Sequence, residues 1–284
     1  MSDEADTRTR QRPEAAAAPG GAAKRSHAVA TAPQRTKLIG AASVTGGVLM
    51  WEVGARLFFD PLFLPPPSAV FVRFLELLAD GTLLRDIGVS GQAYLLGLVI
   101  ALGVGVTVGL AMAASTLVRD IFDPWVSALN ATPTIALAPL FILILGLGVG
   151  SKVAICAIVM VFPILINTYY GFSNTDRQLE EAARAYSASP RQVLLKVKLP
   201  MALPSFIAGL RLAAAHGLVG IVVSELFGAN AGIGLLIQTS AETFDTRALF
   251  VGISILGVFG VTITYLLIWV ERRVGRWRVE SSEG

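Results

Sequence analysis

Val153-Ala154-Ile155-Cys156-Ala157-Ile158-Val159-Met160-Val161-Phe162-Pro163-Ile164-Leu165-Ile166-Asn167-Thr168-Tyr169-Tyr170-Gly171-Phe172 is a run of 20 residues without an Asp, Glu, Lys, Arg or His. A predominantly apolar stretch of ~20 residues is the length that crosses the hydrocarbon core of a bilayer as an α-helix. Outward from this run, comparable blocks lie at 38–58, 88–113, 127–148, 201–226 and 248–270. The expected fold class is therefore an all-α membrane protein with about six transmembrane helices. Composition agrees, with 54% hydrophobic and 15% charged residues, against about 25% charged in soluble domains. The single cysteine, Cys156, excludes an intramolecular disulfide.

Lys and Arg fix the expected orientation. With the N-terminus inside, the segments on the cytoplasmic side carry 17 of them and the outer segments 4, namely Arg73, Arg85, Lys152 and Arg247. Positive charge gathers on the cytoplasmic side of membrane helices. Both termini are thus expected to be cytoplasmic. The net charge of +3 is explained by these helix-end cations, and no nucleic-acid partner is expected. Residues 1–36 are rich in Ala, Arg, Pro, Gly and Thr, lack an apolar period and read as a disordered cytoplasmic tail rather than a signal peptide. Residues 37–80 hold the first span and an outer helix, 81–272 the main membrane domain, and 273–284 a short cytoplasmic tail.

Two segments outside the spans carry structure of their own. Between Ser68 and Asp80, the residues Val70, Phe71, Phe74, Leu75 and Leu78 recur at helical spacing opposite Arg73, Glu76 and Asp80. This predicts an amphipathic helix at the outer surface. The stretch from Asn230 to Asp245 is too short to span and reads as a re-entrant or interfacial segment. The chain has no Gly-Lys pair and hence no nucleotide-binding P-loop. It also lacks a His-Glu metal pair and a Ser-His constellation, so no catalytic residue, metal site or cofactor of its own is expected.

The loop between the fourth and fifth spans, 175–200, is the most informative. A first short helix is expected from Thr175 to Tyr186, with Asp176, Glu180 and Glu181 at the end where the helix dipole favours negative charge. A second is expected from Ser189, with Ser189 as N-cap, Pro190 at the first helical position and Gln192 completing a capping box. Ala182, Ala183 and Ala185 keep part of the first helix thin, which suits insertion into a groove on another protein.

The run Glu181-Ala182-Ala183, followed by Ser187, Val197, Leu199 and Pro200, resembles the EAA loop of bacterial ATP-binding-cassette (ABC) importer permeases. That pattern is Glu-Ala-Ala, three residues, Gly, nine residues, Ile, one residue, Leu-Pro. Every spacing is kept here, with Ser187 for the Gly and Val197 for the Ile. Serine is expected to occupy a turn that is not strongly left-handed. Further matches are Leu64-Pro65-Pro66-Pro67-Ser68, Asp123-Pro124-Trp125, 133–140, 162–168, and Gly209-Leu210-Arg211-Leu212-Ala213 with Glu225. Together they resemble the nitrate, sulfonate and taurine branch.

The resemblance implies a type I ABC importer permease fold with a cytoplasmic coupling helix. It implies a permease homodimer in the lipid bilayer, two copies of an ABC ATPase beneath it, and an extracytoplasmic substrate-binding protein. ATP would be bound by the partner subunit and not by this chain. Carried over residue by residue, Glu180, Glu181, Ala182 and Ala183 contact the ATPase, Ser187 forms the turn, and Val197, Leu199 and Pro200 lead into the fifth span. The implied substrates are small anions such as aliphatic sulfonates, taurine or nitrate, with a thiamine-precursor pyrimidine as the alternative.

The remaining features each have a functional and a structural reading. Arg211, about 15 Å into the fifth span at 1.5 Å per residue, either attracts an anion in the pathway or serves structure by snorkelling or by pairing with backbone carbonyls. His216 is a pathway residue or a helix-packing donor. Glu225 is a gate residue or an interface cap. Glu52 and Arg56 are expected to pair at i and i+4. Pro133 and Pro139 are expected to bend the third span. Gly105 and Gly109 are expected to allow close packing within the chain. The competing function class is a self-sufficient secondary transporter or channel. Acidic residues at the bilayer midplane would favour it, and here they cluster at span ends.

Overall fold

A computed structural model describes residues 33–274 of the chain. Most of the expected N-terminal tail, and the C-terminal tail from 275, lie outside the described residues. Those described are helical or in short connections, with no strand among them. The described residues divide into two units, parted between Gly47 and Val48. Among the described residues, the first contributes only the beginning of helix α1 (Pro33–Phe58). That helix is already formed at Pro33, ahead of the expected 38.

In the second unit, Glu52 and Arg56 pair at 2.6 Å in the last turns of α1. The Glu52 carboxylate also accepts from the Ser68 backbone N–H (2.9 Å) and hydroxyl (2.8 Å). The pair therefore ties α1 to the start of α2 (Pro67–Ala79), the expected amphipathic helix. Pro66 holds an extended backbone before α2, and Gly81, at φ +78, ends it. The apolar face of α2 buries Val70 and Leu77 in a cluster with Leu83, Ile233, Leu236 and Val251.

Among the described residues, four helical stretches are long and apolar enough to cross a membrane: α3 (Thr82–Ala114), α6 (Val149–Ser173), a continuous run at Pro190–Leu226, and Thr246–Glu271 within α11 (Thr246–Val274). The run at Pro190–Leu226 comprises α8 (Pro190–Val193), a five-residue π-helix at Leu194–Lys198, and α9 (Leu199–Leu226). The span expected over 127–148 is not one straight helix. It is α4 (Thr116–Ala131), a 3₁₀ turn (Thr134–Leu137) and α5 (Ala138–Leu145), with the two halves bent by 86°. Pro133 is the cause. The residue before a proline is driven from the helical region, and Thr132 is extended at φ −75°, ψ 134°. Pro139 does not bend the chain. It lies at the start of α5, where no N–H is required.

Helix α6 is the centre of the bundle. In its most apolar stretch 61% of residues are buried, against 28% for α3 and 39% for the Pro190–Leu226 run, and both α3 and α9 pack along it. The core joins Ala93, Tyr94 and Ala101 of α3 to Cys156, Met160 and Ile164 of α6 and Ala213 and Ile221 of α9. The Tyr94 hydroxyl donates to the Ala214 carbonyl at 3.0 Å, so the one polar atom of this large side chain is satisfied. Gly97, Gly105 and Gly109 put the α3 backbone directly on α6. A Cβ at these positions would lie 2.6 Å from Cys156 Cβ, 2.9 Å from Ile164 and 2.7 Å from the Leu165 carbonyl oxygen. The Gly105/Gly109 pair thus serves packing inside one chain, as small residues do between membrane helices.

Candidate functional site: a braced loop and a buried polar cluster

The 174–200 segment folds from strong local signals. Asp176 caps helix α7 (Arg177–Ala185), accepting from the Gln178 N–H at 2.8 Å. The helix closes in a Schellman turn. The Ser187 N–H donates to the Arg184 carbonyl (2.9 Å) and the Ala188 N–H to the Ala183 carbonyl (3.1 Å). Ser187 stands at φ +59°, in the left-handed region. This corrects the expectation of a looser turn. The two hydrogen bonds hold a serine where glycine would be unstrained, at a cost of about 1–2 kcal/mol. Ser189 then caps α8 with the full capping box: Gln192 N–H to Ser189 Oγ at 3.3 Å, Ser189 N–H to Gln192 Oε1 at 2.8 Å.

Glu180 braces this loop. Its carboxylate accepts from Thr175 Oγ1 at 2.7 Å and pairs with Lys198 Nζ at 2.9 Å, and Arg184 approaches to 3.9 Å. Partial burial pushes its pKa up. The hydrogen bonds from Thr175 and Lys198, with the charges of Lys198 and Arg184, outweigh that push and hold it below the ordinary carboxylate value. Lys198 ends the π-helix, so the bridge ties α7 to the base of the α9 span. Glu181, by contrast, is exposed and pairs only with the exposed Arg177. Leu179, Ala182 and Tyr186 share one helical face and are exposed, Tyr186 at 90%. Ala183, Val197 and Pro200 are half-buried, while Ser187 and Leu199 are exposed.

At the far end of the same bundle lies a polar cluster that sequence reading did not assemble. Lys152, expected in an outer connecting segment, is in the first turn of α6 and 3% exposed. Its ammonium donates to Glu225 Oε1 of α9 at 3.1 Å and to the Ala231 carbonyl at 2.6 Å. Ser90 of α3 donates to Glu225 Oε1 at 2.8 Å. The cluster caps helix α10 (Ile233–Glu242), the expected re-entrant segment. Its first backbone N–H groups are each taken by a side chain from another helix: Gly232 by Asp86 (3.0 Å), Ile233 by Ser90 Oγ (2.9 Å) and Gly234 by Glu225 Oε2 (2.8 Å). A helix N-terminus offers unsatisfied donors and the positive end of a dipole. Buried acids meet that need here. Gly234 permits the approach, since a Cβ there would lie 2.7 Å from Glu225 Cβ.

The three residues considered for a pathway are not brought together. Arg211 of α9 forms a close ion pair with Glu271 of α11, with both side chains over 40% exposed. Glu225 is fully enclosed. His216 is exposed on a face of α9 shared with Leu212 and Val219, its Nδ1 2.9 Å from the Leu212 carbonyl oxygen. Sequence reading missed Asp86, Ser90 and Lys152. Their only local signal is ionisable or hydroxyl groups inside apolar helices.

The sequence matches the family described as binding-protein-dependent transport system inner membrane component over residues 95–276. It is 33% identical over 231 residues to the formylaminopyrimidine transport permease protein of Halalkalibacterium halodurans, covering 81% of this chain and 92% of that protein. It is 32% identical over 238 residues to a putative aliphatic sulfonates transport permease protein of Bacillus subtilis, covering 84% and 86%. The fold is similar to a chain in a structure of inward-facing conformations of the MetNI methionine ABC transporter. The TM-score there is 0.55 at 18% identity, covering 69% of this chain and 95% of that one.

Proposed function

Because the chain belongs to the family of binding-protein-dependent transport system inner membrane components, we propose that it forms the membrane pathway of an ATP-driven importer and that α7 is where a separate ATPase drives it. The observation that carries this is the division of labour along α7. Glu180 is turned inward and bridged to Lys198 at the base of α9, while Glu181, Ala182 and Tyr186 are presented outward. A groove on an ATPase can grip the outer face of such a helix. The brace then passes its displacement to the continuous helical run at Pro190–Leu226. Transport follows if that run has two packings whose balance the ATPase shifts.

The excess of Lys and Arg supports a cytoplasmic position for this loop, with α2 and α10 outside, where a substrate-binding protein delivers its cargo. The pathway lies between two copies of this chain, with the His216 face of α9 turned toward it, above two ATPase copies. The substrate is a small organic anion of the aliphatic sulfonate kind. The reading rests on the resemblance to sulfonate permeases and not on Arg211, whose charge Glu271 already meets. A formylaminopyrimidine is the second reading, supported by a relative of equal similarity.

Co-expression with an ABC ATPase and a substrate-binding protein tests this. An Ala182→Cys chain is expected to cross-link to the ATPase, and vesicles of the complex to take up a sulfonate only with ATP and the binding protein. Uptake by the chain alone without ATP, or an α7 labelled from outside the cell, would overturn the assignment.

A further inference from the structure

Where α3 ends against the base of α9, the bundle leaves a groove of about 490 Å³. That is within the ~300–1,000 Å³ typical of ligand sites. Its floor is apolar, made by Leu110 and Ala114 of α3 with Leu195 and Leu199, and its rim carries Arg184 and Lys198. Ala114 is a small member of that lining, and the leucines of the groove are open to the surroundings. Leu194, Leu195 and Leu199 are 45%, 49% and 41% exposed although they adjoin the charged loop.

The two rim cations share the single carboxylate of Glu180. Lys198 holds it at 2.9 Å, while Arg184 stands at 3.9 Å and is 70% exposed. The Arg184 guanidinium therefore keeps most of its donors for another acceptor. A groove with an apolar floor, one underused cation at its mouth and leucines turned to the surroundings is complementary to a molecule with a hydrocarbon chain and an anionic head.

We propose that this groove binds an anionic phospholipid of the cytoplasmic leaflet, its acyl chain lying on Leu110, Ala114, Leu195 and Leu199 and its headgroup phosphate on Arg184 and Lys198. This rests on the orientation given under Proposed function, which puts the groove at the cytoplasmic border of the membrane. Basic pockets between helices on that side attract anionic headgroups. The occupant would stand against the Glu180–Lys198 brace, so that the composition of the inner leaflet sets the stiffness of the coupling loop. The Leu194–Lys198 π-helix, a widened turn of the kind found at functional sites, is the backbone that the lipid would touch.

The test is native mass spectrometry of the assembled transporter, permease with ATPase, taken from nanodiscs of phosphatidylcholine mixed with phosphatidylglycerol. The wild type is expected to retain phosphatidylglycerol about fivefold over phosphatidylcholine, the preference that one free cation at a headgroup corresponds to. Ala114→Leu, which fills the groove and leaves both cations, is expected to lose retained lipid of either kind. Arg184→Gln is expected to keep a lipid and lose the headgroup preference, a result readable even if Ala114→Leu fails to assemble.

No preference in the wild type overturns the proposal. So does full retention by Ala114→Leu, or displacement of the lipid by inorganic phosphate, which would mark a site for soluble anions. Lipid held by the isolated permease but absent from the assembled complex would show the ATPase covering the groove, and also overturns it. Presence of the ATPase in the same spectra separates the readings. Its loss from the wild-type complex counts against the coupling assignment, and loss of lipid preference with the ATPase still bound counts against the lipid site alone.

Discussion

Lys152→Met is the sharpest perturbation that the fold offers. Glu225 has no exposed side-chain surface, and its carboxylate is met by Lys152, the Ser90 hydroxyl and the Gly234 N–H. Methionine fills similar space but removes the one opposing charge in contact among the described residues. Breaking one partner of a buried pair costs about 3–5 kcal/mol. At ~2–4 °C per kcal/mol for a chain of this size, the melting temperature in nanodiscs should fall by roughly 6–20 °C. Glu225→Gln should cost a similar amount, because Lys152 then keeps only the Ala231 carbonyl and an amide oxygen. The double variant removes both charges, and its destabilisation should fall short of the sum of the singles by up to ~3 kcal/mol, the upper range of couplings between residues in contact. Hydrogen exchange gives a local readout. The amides of 232–234 should lose protection first, since their acceptors belong to the same cluster. A Lys152→Met loss below ~1 kcal/mol, or strict additivity in the double variant, would show that the pair does not hold α10, and the reasoning would be wrong.

Ser187→Gly relieves the left-handed strain at φ +59° and should strengthen the loop by about 1 kcal/mol, with Ser187→Val weakening it; exchange of the amides at 186–188 reports both. The folded pKa of Glu180 is lowered from 4.5, so its contribution is complete above that value and is lost as the pH falls through the folded pKa. Protection of the α7 amides, taken relative to the intrinsic exchange rate at each pH, should therefore fall in acid, and Glu180→Gln should be as weakly protected at neutral pH as the wild type is in acid. Gly109→Leu drives a side chain into the Leu165 carbonyl and Thr168 and should cost about 1–3 kcal/mol or more in thermal melts. Gly103→Ala, which meets nothing within 4 Å, should cost nothing and gain up to about 1 kcal/mol from helix propensity.

What the sequence disclosed and what it withheld divide along chain separation. The capping box at Ser189 is legible because its partners lie within three residues, whereas Asp176, read as a charge inside the helix, is its cap. The amphipathic α2 and the apolar blocks are legible because periodicity and length are properties of the chain itself. Lys152 and Glu225 lie 73 residues apart, and nothing local joins them. A lysine near the end of an apolar block therefore reads as a loop cation. Pro133 announced a bend but not its 86°, since the angle depends on how both halves pack. Ser187 misled for a physical reason. Its propensity opposes a left-handed turn, and two hydrogen bonds across the helix end override it. The Leu194–Lys198 π-helix left no signal, because a change of hydrogen-bond register needs no particular residue type. The Glu181, Ala182 and Ala183 run was found by pattern, and only coordinates separate it from the inward-facing Glu180.

The caps of α10 also fix an order of events in biosynthesis. Asp86, Ser90, Lys152 and Glu225 all precede Ile233 in the chain. Every acceptor that the short helix needs has thus left the ribosome before the helix does. A ten-residue helix is marginal by itself. It winds onto a scaffold already threaded through the bilayer, and the newest segment finds its seat prepared.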